Sequence, residues 1–177
     1  MKKSVSIVLF MLALCAVVTA QQDKSKRPSP PAQAQCKFSD GKSITIDYSS
    51  PRAKGRKIFG DLVPYGEIWR TGANEATTFV TTANLTVEGK DIPAGNYTIF
   101  TIPAQDKWTL IVNKHTGEWG IPYKYESEEL GRIPMSVAKT SSPVENFTIN
   151  LSQSGGNCTL QMSWENTEAS IQLSEKK

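Results

Sequence analysis

Arg56, Trp69, Arg70, Asn74 and Glu75 fall within one stretch, Ser50 to Ala76, and with Trp119 and Tyr123 from a later stretch they are the side chains best suited to chemistry. Arginine presents a planar fork of donors, and asparagine both donates and accepts. Arg56, Arg70, Asn74 and Glu75 together would therefore suit a carboxylate, a phosphate or the hydroxyls of a sugar. Trp69, Trp119 and Tyr123 would add a flat apolar wall for a ring. The same residues also have a purely structural use. An arginine paired with Glu75, and Asn74 bonded to the backbone, would satisfy a long loop with no ligand at all, while Trp69 would anchor that loop in the core.

Catalytic patterns are missing around them. The chain has no Gly-x-Ser-x-Gly elbow, no His-Glu-x-x-His pair and no phosphate-cradling glycine loop. Its one histidine, His115, reads as a turn residue, and two distant cysteines with that histidine fall short of a metal site. No cofactor or metal is therefore expected, and the residues favour a non-catalytic module binding a small anion or a glycan. Two alternatives remain. One is a hydrolase in which Glu75 acts as acid or base while Arg70 steadies developing negative charge. The other is a structural domain of the cell envelope.

The elements that would position these residues are short strands. Ser43 to Tyr48 alternates with a period of two, as a half-buried strand does. Thr77 to Thr82 and Asn84 to Glu88 follow the long loop, and Gly89-Lys90-Asp91 reads as a turn. Tyr97 to Ile102 is apolar on both faces and predicts a central strand, forming a hairpin with Trp108 to Asn113. His115 to Gly131 breaks the pattern. Arg132 to Lys139, Glu145 to Ser152, Cys158 to Trp164 and Ala169 to Leu173 then restore it. Eight or nine short strands with one long irregular loop and no helical period predict an antiparallel β-sandwich, with a closed barrel as the alternative.

Residues 1–20 read as a signal peptide: Lys2 and Lys3, an apolar run from Ser4 to Val18, and Val18-Thr19-Ala20 as the cleavage signal before Gln21. The run is too short for the roughly 20 residues of a span, so the mature chain is expected in the periplasm or outside the cell with no membrane span. Leu14 before Cys15 argues against a lipid anchor. Gln21 to Gln35, with Pro28, Pro30 and Pro31 and no large apolar side chain, reads as a flexible linker ahead of one domain over 36–177. Loss of Lys2 and Lys3 takes the formal charge from +3 to +1, which gives no electrostatic reason to expect nucleic acid as a partner. Cys36 and Cys158 then form an even pair in an exported chain, and a disulfide between them is expected, requiring Cα atoms within about 7 Å and the first and penultimate strands close together. The Asn-x-Thr triplets beginning at Asn84, Asn96, Asn146 and Asn157 read as chance.

Ser50-Pro51-Arg52, Gly55-Arg56, Ile58-Phe59-Gly60, Leu62-Val63-Pro64-Tyr65-Gly66 and Trp69 through Ala76 together form a long motif. Pro93-Ala94-Gly95-x-Tyr97, Trp108 with Asn113, and Trp119-Gly120 with Tyr123 extend it. On these residues the chain, from about Phe38 to Leu173, resembles domain-of-unknown-function family 2911. That resemblance implies an exported, β-rich domain found mostly in Gram-negative bacteria. It brings no catalytic residue with it, so Arg56, Arg70, Asn74 and Glu75 stand on residue chemistry alone.

Overall fold

Alternation of apolar and polar side chains, punctuated by glycine and proline, leaves this chain little choice but strands. The structure, a computed structural model, describes residues 23–177, and the expected signal peptide with Cys15 lies outside the described residues. Nine strands follow in order: β1 (Pro31–Lys37), β2 (Ser43–Ser49), β3 (Thr77–Thr81), β4 (Leu85–Val87), β5 (Lys90–Ile92), β6 (Gly95–Ile102), β7 (Lys107–Asn113), β8 (Glu129–Ser154) and β9 (Asn157–Glu175). Single-turn 3-10 helices at Lys24–Lys26 and Glu126–Glu128 are the only helical segments among the described residues.

All nine strands belong to one antiparallel sheet, ordered β1-β2-β3-β6-β7-β8-β9-β4-β5. The all-β expectation holds, but the two separate ladders of a sandwich are absent among the described residues. Nor is the sheet a closed barrel, because its edges β1 and β5 are not hydrogen-bonded to each other. The sheet is nonetheless strongly curled. Six steps of about 4.8 Å would separate β1 from β9 by roughly 29 Å in a flat sheet. Cys36 on β1 and Cys158 on β9 instead form a disulfide with Cα atoms 6.2 Å apart. Likewise Thr81, the end of β3, and Leu85, the start of β4, are joined by three residues although five strand steps separate them in the sheet.

Curling is built into the long β8–β9 hairpin. Register shifts fall between Lys139 and Val144 and between Val144 and Thr148, and Glu165, opposite Val144, takes a left-handed φ of 54°. Extra residues on one side of a ladder bend it, so the interruption between the expected strands ending at Lys139 and starting at Glu145 is a bulge rather than a chain break. The four segments read as separate strands between Arg132 and Leu173 are the halves of one bent hairpin. Its distal half meets the chain leaving β2: the Ala53 N–H donates to the Glu145 carbonyl at 2.8 Å, the Phe147 N–H to the Pro51 carbonyl at 2.8 Å, and the Ile149 N–H to the Tyr48 hydroxyl at 3.0 Å.

Two further expectations change. Residues 31–35, read as the end of a linker, form most of β1 and pair with β2, burying Ala34 ahead of Cys36. Small side chains suffice there because β1 needs only alternate contacts against the curled sheet. Lys90 and Asp91, read with Gly89 as a turn, instead belong to strand β5, paired over three residues with β4 and burying Ile92. Inside the curl lies one continuous core, with Trp108, Trp164, Phe79 and Phe147 among its largest fully buried side chains. The central position expected for Tyr97 to Ile102 is observed: β6 lies between β3 and β7. Its outward Phe100 and the Ile111 of β7 form a second small cluster with Ala76, covered by Ile68, Ile102 and Tyr123.

Candidate functional site

The 50–76 loop is held to the sheet by what it buries. Ile58, Phe59 and Val63 are buried, and Phe59 packs edge-on against Trp108 with ring centroids 4.9 Å apart. Trp69 is half-buried, edge-on to Phe147 at 4.9 Å and stacked on Trp164 at 6.0 Å, so it does anchor the loop. Its backbone also pairs with β6, the Trp69 N–H donating to the Thr101 carbonyl at 2.8 Å and the Trp69 carbonyl accepting from the Thr101 N–H at 2.9 Å. Beyond Trp69 the chain reverses sharply. Thr71 and Asn74 adopt φ of 57° and 59°, and Gly72 adopts 153°. A Cβ on Gly72 would sit 3.0 Å from the Ser49 carbonyl oxygen, so this turn requires glycine on both counts.

That reversal aims Arg70 along the surface. Its guanidinium Nη1 donates to the Asn74 carbonyl and, at 3.2 Å, to the Trp119 carbonyl, and Cζ lies 5.2 Å from the centre of the Trp119 ring. Partial burial pulls its pKa below the usual arginine value, yet an arginine stays charged. Gly120 makes the approach of the second loop tight enough for this, since a Cβ there would lie 2.9 Å from that of Ala76. Asn74 is structural through its amide, whose Nδ2 donates to the Ser29 carbonyl at 3.0 Å. Arg56 is exposed, and its Nε and Nη2 cap the Ala53 and Arg52 carbonyls at 3.0 and 2.7 Å.

Between these groups lies a cleft of about 420 Å³, within the size range of small-molecule sites. Arg56, Trp69, Arg70, Asn74 and Trp119 all line it. Its rim carries three of the large apolar side chains that the fold leaves in water: Trp119 at 55% exposure, Leu62 at 46% and Ile121 at 40%. Among the described residues no carboxylate lines the cleft, and neither Arg56 nor Arg70 has a carboxylate within ion-pair distance.

Glu75 and Tyr123 lie elsewhere. Glu75 receives Arg27 Nη1 on both oxygens, at 3.0 and 2.8 Å, and Lys24 Nζ lies 3.1 Å away. The Arg27 hydrogen bonds, helped by Lys24, hold its pKa down to about 2. It faces a separate pocket of about 180 Å³ that it shares with Lys24 and Asp47. The pairing of Glu75 with Arg56 or Arg70 is therefore not formed, because Arg27, from the segment read as linker, reaches it first. Tyr123 packs on Phe100 at 4.7 Å, donates to Glu129 at 2.8 Å and receives Asn113 Nδ2 at 2.9 Å. Burial, then the Glu129 bond, raises its pKa, and it braces the second loop rather than lining the cleft. Ser29, Leu62 and Ile121 line the cleft unforeseen, since a prolyl segment and two irregular loops give no period from which to assign a face.

Comparison with curated proteins and with solved structures finds no match. A family model does match, over residues 29–173, and its start just ahead of Pro31 agrees with β1 being part of the folded domain. The chain belongs to the family described as protein of unknown function, DUF2911.

Proposed function

We propose that this protein is a non-catalytic binding module of the periplasm or cell exterior, and that the Arg70–Trp119 cleft takes a small molecule carrying a carboxylate, sulfate or phosphate. One observation carries the reading: two arginines without carboxylate partners border a cleft of ligand size beside a tryptophan that is 55% exposed. A partly desolvated guanidinium gains most from an anion that it can meet bidentately, and an open aromatic face gains from a ring or apolar group. The hydrolase alternative loses support because Glu75 and Arg70 do not share a cavity and Glu75, held at a pKa of about 2, has no proton to give at neutral pH. Export is supported by the leader-like residues 1–20 together with the Cys36–Cys158 bond, a linkage that persists in oxidising compartments.

A thermal-shift screen of carboxylates, sulfates and phosphates tests the binding reading. A ligand at 100 times its Kd should add about 2.7 kcal/mol of stability, and Arg56→Gln combined with Arg70→Gln, the two arginines that line the cleft, should cut that gain while leaving the unliganded melting temperature within a few degrees. Silence across a broad panel refutes the reading. N-terminal sequencing of the protein from its native host tests export, and a chain still beginning at Met1 refutes cleavage.

A further inference from the structure

The cleft is one half of a longer depression. A second lobe of about 390 Å³ adjoins it, and Ser29, Pro51 and Arg56 line both. The two lobes differ in chemistry. The first is walled mainly by apolar side chains, Leu62, Ile68, Trp69, Trp119 and Ile121 among them, with Arg70 at one side. The second is lined by Arg52, Lys54 and Arg56 against Pro28, Ser29 and Pro51. Among the described residues no acidic side chain lines either lobe. Three cations therefore surround a space with no countercharge in it. Among the described residues none of the three forms an ion pair with a carboxylate; Glu145 accepts from the Lys54 main-chain N–H at 2.9 Å and, with Glu165, lines a separate pocket on the other side of Arg56. Arg52 spends Nη1 on Ser50, and Arg56 spends Nε and Nη2 on carbonyls, so the Nη2 of Arg52, the Nη1 of Arg56 and the Lys54 ammonium keep donors to offer.

We infer that the ligand is an anionic amphiphile: an apolar chain or ring system lying across Trp119, Leu62 and Ile121, joined to a carboxylate or phosphate head held by Arg52, Lys54 and Arg56. This rests on the binding reading above and narrows it. A sugar would leave Leu62 and Ile121 against hydroxyls, and a bare anion would leave the whole apolar lobe in water, whereas an apolar body covers both side chains and the exposed Trp119. Charge complementarity fixes which end lies where, and the shared Arg56 sits at the junction of the two. A free fatty acid and a lipid phosphate both have this chemistry.

Titration of the mature chain, followed by Trp fluorescence below the critical micelle concentration, distinguishes the outcomes. The probes are hexanoate, octanoate, octyl phosphate, octyl glucoside, glucuronate and inorganic phosphate. Octanoate or octyl phosphate should bind at least tenfold more tightly than glucuronate, inorganic phosphate or octyl glucoside, and affinity should rise about fourfold per added methylene from hexanoate to octanoate. Stronger binding of octyl phosphate points to a lipid phosphate, and stronger binding of octanoate to a free fatty acid. Arg52→Gln with Lys54→Gln should reduce the preference for charged over neutral octyl probes, and Leu62→Ser with Ile121→Ser should flatten the chain-length dependence. Lys54, Leu62 and Ile121 are exposed and Arg52 is half-buried, and near-UV circular dichroism confirms that each variant folds. Glucuronate or phosphate binding as tightly as octyl phosphate overturns the amphiphile while leaving the binding module intact. No binding by any probe, together with a silent thermal-shift panel, overturns both. Association only with vesicles of anionic lipid, and not with monomeric probes, overturns the cleft as the site.

Discussion

Removing the Cys36–Cys158 bond is the most informative perturbation, because it joins two strands that share no backbone ladder. The bonded residues are 122 apart in sequence, so the cross-link removes loop-closure entropy equivalent to about 5 kcal/mol from the unfolded chain at 25 °C on the entropic account. Residual structure in the unfolded chain lowers that figure, and a loss of about 2 to 5 kcal/mol is expected on reduction. For a chain of this length each kcal/mol lowers the melting temperature by about 2–4 °C, so the midpoint should fall by roughly 4 to 20 °C. The bond is buried, with Cys36 at 3% and Cys158 at 0% exposure, so reduction has to be carried out in denaturant before refolding in excess dithiol. Urea unfolding of the oxidised and reduced forms, with mass spectrometry counting free thiols, gives the difference directly. Reduction should also steepen the urea dependence, because a chain freed of its cross-link exposes more surface on unfolding. Hydrogen exchange adds a second readout: loss of an unfolded-state restraint lowers the protection of all globally exchanging core amides together, not that of β1 alone. A reduced form within about 1 kcal/mol of the oxidised one, with two free thiols confirmed, would refute the reasoning.

Acid should remove a second contribution. Glu75 has its pKa lowered to about 2 in the fold, against about 4.5 when unfolded, so its stabilisation is complete above pH 4.5 and disappears as the pH falls towards 2. Since Glu75 is 41% exposed, the pairing contributes about 1 kcal/mol at most, and Glu75→Gln should flatten urea midpoints over that pH window and leave the pH 7 slope unchanged. Gly72→Ala should cost about 1–3 kcal/mol by forcing a Cβ into the turn below Arg70, and a melting temperature unchanged from wild type would contradict the strain argument. Both carboxylate oxygens of Glu118 are enclosed with no hydrogen-bond partner among the described residues, so Glu118→Gln, which keeps the shape and drops the charge, should stabilise by about 1–3 kcal/mol; a lower melting temperature would reveal a partner for that carboxylate.

Period-two patterning made most of the strands legible, with β2, β3, β6 and β7 matching their expected spans to within two residues. It did not reveal how the ladders join. Alternation reports that a strand has an inside and an outside, and a curled single sheet satisfies that pattern as well as a sandwich does. The bulges at Val144 and Glu165 decide between them, and a bulge shifts the alternation by one residue, which reads in sequence as a break. The cysteine pair was legible because few alternatives existed for it. Arg70, Trp69 and Trp119 were recognised as neighbours because their stretches carry breakers and aromatics together, a combination that folds as a specified loop. Arg27 was not, since its role comes from proximity to Glu75, 48 residues away, and a short prolyl segment has no period to announce it.

An open sheet keeps two strand edges, and the composition of each bears on how the protein behaves at high concentration. Exposed edges template strand addition between copies, the first step towards fibrillar aggregates. β5, one edge, is three residues long and carries Lys90 and Asp91 between Gly89 and Pro93, a poor template by length and by charge. β1, the other, opens with Pro31, which has no N–H to offer, and it lies against β8 while the disulfide ties it to β9. The curl thus also turns the longer edge towards β8, so that a sheet which never closes offers a second copy a poorer template at both of its edges.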